Sequence, residues 1–160
     1  MNKFLFLLLC PVLVFSQSSL DDVEILFQKK QYTKAEKSII QFLEENPNNL
    51  QAIELLGDAY GHQKKWDKAI TEYKKLVEAD ENVANYHYKY GGVLGTKAIE
   101  NKFKAIGFIG DVKSSFEKAA ELDPNHIEAR WALVELYMQL PGIFGGRESK
   151  SLHFAEELEN

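Results

Sequence analysis

Four histidines, His62, His87, His126 and His153, are the side chains best suited to hold a metal or carry a proton, and they fall singly in separate segments. A zinc site of the His-Glu-x-x-His kind needs two of them four apart on one helix face, and no such pair is present. The single cysteine, Cys10, lies in an apolar run with no second thiol to share a metal or a disulfide. Carboxylates stand side by side at Glu44-Glu45 and Glu156-Glu157, but neighbours on a helix point in different directions and do not face each other as an acid/base pair. The segment from Leu140 to Ser151 invites comparison with a phosphate loop. That loop needs glycines at 144 and 149, where Phe144 and Ser149 stand, and a strand before it, where the pattern is helical. These residues predict a chain that is not an enzyme, with no cofactor and no metal. The question passes to the elements and the surface they build.

The stretch from Leu50 to Asn82 reads as one helix–turn–helix unit. Ile53, Leu56 and Tyr60, then Ala69, Ile70, Tyr73, Leu76 and Val77, recur every three or four residues, the period of two amphipathic helices. His62-Gln63-Lys64-Lys65 is a polar turn between them. Gly57 and Ala69 are small where the two helices must approach most closely. This unit, with Leu56-Gly57, Tyr60, Ala69 and Tyr73 as markers, resembles the tetratricopeptide repeat of about 34 residues. The resemblance implies an all-α fold, a right-handed α-solenoid of about four helix–turn–helix repeats, near 17–49, 50–83, 84–126 and 127–160, the last incomplete.

Composition agrees with such a module. The chain has 160 residues, 45% hydrophobic and 27% charged, a size for one domain with a core. A net charge of −5 and the lack of a basic patch in sequence argue against a nucleic-acid partner. Residues 1–16 read as a signal peptide: Lys3, an apolar run from Phe4 to Phe15, and cleavage after Ser16. That run is too short to span a bilayer, which takes about 20 residues. Leu9 before Cys10 disfavours a lipid anchor there. The expected location is therefore exported, periplasmic or at the cell surface.

The flanking segments read as copies. In the first repeat the second helix is clear, with Tyr32, Ala35, Ile39 and Leu43, while Val23 and Leu26 replace the family's glycine and tyrosine. In the third, Tyr86, Tyr90, Gly91 and Leu94 align with Ala52, Leu56, Gly57 and Tyr60, and the second helix runs from Val112 to Asn125. The fourth brings Leu133, Val134 and Tyr137, with Ala155 as the expected small residue of a second helix that begins at Leu152 and stops near its middle. On this alignment both late repeats have joints enlarged by nine residues, since Leu94 to Val112 and Tyr137 to Ala155 span eighteen where Tyr60 to Ala69 spans nine. The insertions near 97–111 and 140–151 carry Phe108, Ile109, Ile143 and Phe144, which could pack on one another or form a rim pocket with glycines turning the chain. The Pro-Gly-x-x-Gly-Gly pattern at 141–146 is similar to a joint of exported bacterial tetratricopeptide proteins of unassigned function.

Family geometry implies that the first helix of each repeat lines a concave groove. Carried over residue by residue, the groove takes Gln51, Glu54, Asp58, Gly61 and His62, then Asn85, Tyr88, Gly92, Gly95 and Thr96, then Glu128, Trp131, Glu135, Met138 and Gln139. It should be acidic with two aromatic anchors, Tyr88 and Trp131, and suit a basic or mixed extended peptide. The clamp that grips acidic chaperone tails is not expected, because Leu20, Glu24 and Leu55 occupy its positions. The function expected is a non-catalytic protein-interaction scaffold, binding a protein, a peptide or a second copy of itself through an exposed face of Val134, Tyr137, Leu152 and Leu158. The competing expectation is a small-ligand or lipid module using an apolar pocket at the insertions.

Overall fold

The computed structural model describes residues 20–100, 102–144 and 146–159. The expected leader, with Cys10, lies outside them, as does Gly145. Among the described residues there are eight α-helices and no strand: α1 (Leu20–Gln28), α2 (Tyr32–Glu45), α3 (Leu50–His62), α4 (Trp66–Ala79), α5 (Ala84–Glu100), α6 (Lys102–Leu122), α7 (Ile127–Gln139) and α8 (Glu148–Glu159). Each packs chiefly on its neighbours in the chain, so four consecutive hairpins stack as a solenoid.

Periodicity explains the hairpins. Ala69, Tyr73 and Leu76 of α4 are buried at spacings of four and three, against Ile53, Leu56, Gly57 and Tyr60 of α3. A methyl added to Gly57 would lie 2.5 Å from the Tyr73 ring, so a small residue on one helix makes room for a large one on the other. The next repeat repeats the pairing: a Cβ on Gly91 would lie 3.0 Å from the Phe116 ring. Val112 is therefore the register partner of Ala69, as the spacing predicts.

The turns are also copies. Lys30 and Lys64, one repeat apart, adopt left-handed backbone at φ 54° and 57°. Gln31 N–H reaches the Leu26 carbonyl at 2.8 Å, and Lys65 N–H reaches that of Tyr60 at 2.9 Å, which closes both helices with a Schellman turn. Between repeats, Asp80 and Asp123 accept from the backbone N–H two residues on, at 3.0 and 2.8 Å. Asn49 and His126 cap the next helix by accepting from the N–H three residues on.

The two enlarged joints differ from expectation and from each other. In the third repeat the extra residues are helix: α5 runs 17 residues, α6 runs 21, and residue 101 alone separates them. Gly107 and Gly110 lie inside α6 and make no turn. In the fourth the joint is a loop with a short 3-10 turn over Gly142–Phe144. A Cβ on Gly146 would collide with the Leu140 carbonyl, so this loop requires glycine there.

The small residue of the fourth repeat is Ser151, not Ala155. α8 begins at Glu148, three residues before Ser151, as α2 and α4 begin three before Ala35 and Ala69. Ser151 is buried and its hydroxyl donates to the Val134 carbonyl at 3.2 Å. Tyr137 to Ser151 is fourteen residues, so this joint is enlarged by 14 − 9 = 5. Ala155 then takes the register of Tyr73, and the family glycine becomes Val134 opposite a smaller residue. α8 consequently starts before Leu152 and reaches 12 residues against 14 in α4. Val134 and Tyr137 are buried rather than exposed, Tyr137 stacking on Phe154 at 6.0 Å, whereas Leu152 does face outward.

Candidate functional site

The positions expected to line a groove lie on α3, α5 and α7, the first helix of the second, third and fourth repeats. On α3 and α5 they are tied together. Lys89 of α5 reaches both oxygens of Asp58 at 2.7 Å and Glu54 at 2.8 Å. Asn85 donates to Glu54 at 2.8 Å, and the Tyr73 hydroxyl donates to Asp58 at 2.6 Å. Burial works to lower the Lys89 ammonium, but Asp58 and Glu54 outweigh it and hold it above the usual lysine value. Burial, and after it the Asp58 carboxylate, push the Tyr73 hydroxyl far above the usual tyrosine range. The acidic pair expected on this face is thus already satisfied within the protein. Lys89 is the residue the sequence reading missed. Its signal was an offset: Glu54–Asn85 and Asp58–Lys89 are both 31 residues apart.

His62 and Tyr88 both pack on neighbouring rings, His62 while still exposed and Tyr88 half-buried. His62 stacks on Tyr32 of the first repeat, ring centroids 4.2 Å apart and nearly parallel. Tyr88 lies between repeats, 6.1 Å from the Phe116 ring and 5.0 Å from that of His126. Burial, with Glu128 and Glu135 on the facing helix, raises its hydroxyl against the opposing pull of Lys89. Nδ1 of His126 accepts the α7 cap bond and lies 3.3 Å from Glu128, so pairing with that carboxylate would require giving up the cap.

The open part of the face is on α7. Trp131 is 55% and Met138 72% exposed, flanked on the same side by the exposed carboxylates Glu128 and Glu135. Spacings of three, four and three place 128, 131, 135 and 138 on one helix face. Along α5, Tyr88, Gly92 and Gly95 form the stripe at the matching register. A Cβ on Gly92 would meet nothing within 4 Å, and one on Gly95 would meet only Val112 at 3.7 Å. Between α5 and α7 the face is therefore low along one side and apolar and acidic along the other.

At the insertions, Phe108 packs toward Leu94, Val112 and Phe116, with the Lys97 ammonium 5.5 Å from its ring. Ile109 is half-buried and Ile143 is 87% exposed, while the Phe144 side chain lies outside the described residues. Two open depressions occur elsewhere. One, of about 730 Å³, lies between α2 and α4 over the back of α3, with Ile40, Leu43, Leu50 and Ala79 among its lining. The other, of about 430 Å³, sits at the α3–α4 turn, where Trp66 donates to Glu100 at 2.5 Å and Lys97 pairs with Asp67. Among the described residues no group of three histidine, cysteine or acidic side chains could hold a metal ion, and no helix is long and apolar enough to cross a membrane.

Residues 26–90 match the tetratricopeptide repeat family model. Comparison with curated proteins finds no match. Among solved structures, a thermophilic TPR protein of Thermus thermophilus is 18% identical with a TM-score of 0.70, over 88% of this chain and 72% of that one. YrrB, described as a TPR protein with an unusual peptide-binding site, is 20% identical with a TM-score of 0.66, over 85% of this chain and 63% of its own. The first TPR domain of Spaghetti (RPAP3), bound to the HSP90 peptide SRMEEVD, is 18% identical with a TM-score of 0.63, over 75% of this chain and 90% of its own. The closely paired helices and repeated turns give the chain the fold of these structures, and over residues 26–90 it matches the tetratricopeptide repeat family.

Proposed function

We propose that the chain is a non-catalytic protein-interaction scaffold of the cell envelope that holds a partner protein or peptide against the face formed by α3, α5 and α7. The observation that carries this reading is the stripe on α7, where Trp131 and Met138 stay exposed while the equivalent turns of α3 and α5 are satisfied internally. An exposed indole beside a thioether is a poor use of surface unless a partner covers it. Two structural neighbours described by their peptide sites support the same use of the fold. The expected leader at 1–16 supports the envelope location.

The test is capture from an envelope extract by the chain and by a Trp131→Ala, Met138→Ala double variant of equal helicity. Tyr88 is left alone because it packs between repeats. A partner held by the parent and lost from the variant is the expected result. Equal capture by both would remove the concave face as the working surface. It would favour a second reading, an apolar ligand in the depression between α2 and α4, which an apolar fluorescent dye displaced by an Ile40→Trp substitution would report.

A further inference from the structure

Resting on the scaffold reading, we infer that the occupied surface is the trough between α5 and α7 alone, and that its occupant is an extended cationic segment with an apolar residue between its charges. Three observations carry this. Charge comes first: Lys89 is held by Glu54 and Asp58, so the α3 side offers a closed ion network, while Glu128 and Glu135 remain exposed at the rim of α7. An acidic partner would meet these two carboxylates directly. A cationic one would find complementary charge without breaking the Lys89 network.

The second observation is the shape of the floor. Gly92 and Gly95 sit inside α5, where glycine weakens a helix relative to alanine. Gly57 and Gly91 are required by the rings packed over them, but the space above Gly92 is open. No packing contact fills that space, so a partner backbone can lie low against the helix there.

Spacing is the third. Glu128 and Glu135 are seven residues apart along a helix, which at 1.5 Å per residue is roughly 10 Å. A chain in polyproline II conformation repeats its face every three residues, roughly 9 Å. Two lysines or arginines three apart would thus reach the two carboxylates together. One of the two residues between them would lie over Trp131, with Met138 as a pliable edge.

The experiment is fluorescence anisotropy of the full chain with three synthetic peptides of equal length. One carries two lysines three apart with leucines between, one has glutamates in their place, and one has the lysines adjacent. The spaced-lysine peptide should bind at least tenfold tighter than the glutamate peptide, weaken as salt is raised, and exceed the adjacent-lysine peptide. Glu128→Lys with Glu135→Lys should reverse the charge preference, and Gly92→Ala should lower affinity at least fivefold while helicity is kept. Equal or tighter binding of the glutamate peptide, indifference to the charge reversal, or no binding of any peptide would overturn the inference. Peptide binding that ignores charge but is lost in Trp131→Ala would leave the scaffold reading standing. Binding untouched by Trp131→Ala and Met138→Ala would remove that reading as well.

Discussion

Gly57 and Gly92 are both helical glycines, and the fold asks opposite things of them. The Tyr73 ring over Gly57 cannot step aside easily, because its hydroxyl is held by Asp58 at 2.6 Å and the ring is buried. Overpacking of this kind costs about 1–3 kcal/mol, against about 1 kcal/mol gained in helix propensity. Gly57→Ala should therefore lower stability by up to about 2 kcal/mol, read as a fall in the urea midpoint at constant slope. Gly92→Ala, with nothing to strike, should raise it. A rise in both would mean that the tyrosine ring is freer than its hydrogen bond implies. Gly57 was legible in the sequence as a small residue, with Ala69, at a close helix crossing, though the Tyr73 ring that packs over it was not. Lys89 was not, because its partners lie in the previous repeat and only the stacking of repeats brings them together.

At the scale of elements, the repeat period and its turns could be read from apolar spacing, but the fate of an insertion could not. Both enlarged joints carry glycines and aromatics, yet one continues as helix and the other breaks. The difference lies in Pro141, which cannot extend α7, whereas the segment from Lys97 to Ile106 contains no proline and can stay helical. The alignment on Ala155 failed for a related reason. Alanine is the family's marker, and Ser151 does the same work because its hydroxyl finds the Val134 carbonyl. Within α6, Gly107 and Gly110 are exposed and have open space where a Cβ would stand. Replacing either with alanine should stabilise the chain by about 0.5–1 kcal/mol, the usual difference for a helix interior. Urea midpoints of Gly107→Ala and Gly110→Ala check this, and a fall in either would show that the glycine serves a contact and not merely a length of helix.

For the whole molecule, a solenoid has no distant contacts to compensate a failing repeat, so a weakness in one hairpin reaches the next only through their shared face. Ionisable groups sit both within a hairpin and between hairpins. Tyr73 and Tyr137 are buried and donate to Asp58 and Glu117, at 2.6 and 2.5 Å. Burial first, then these carboxylates, raise both hydroxyls above their ordinary value. The unfolded chain would release these protons at about pH 10, the ordinary tyrosine value, while the folded chain still holds them. The stability they contribute is thus complete below that pH and is lost as pH climbs toward the raised folded values. Lys89, raised against its burial by Asp58 and Glu54, adds to the loss in the same direction. The chain should therefore unfold at alkaline pH, with the second and fourth hairpins failing as their tyrosines ionise. Tyrosinate absorbance and helicity recorded together between pH 8 and 12 test this. A fraction of the seven tyrosines should ionise only as helix is lost. In Tyr73→Phe the chain should be less stable near neutrality yet lose less on the way to high pH. If all seven ionise in one step near pH 10 while helicity is intact, the hydrogen-bonded tyrosines are not what holds these helices in place.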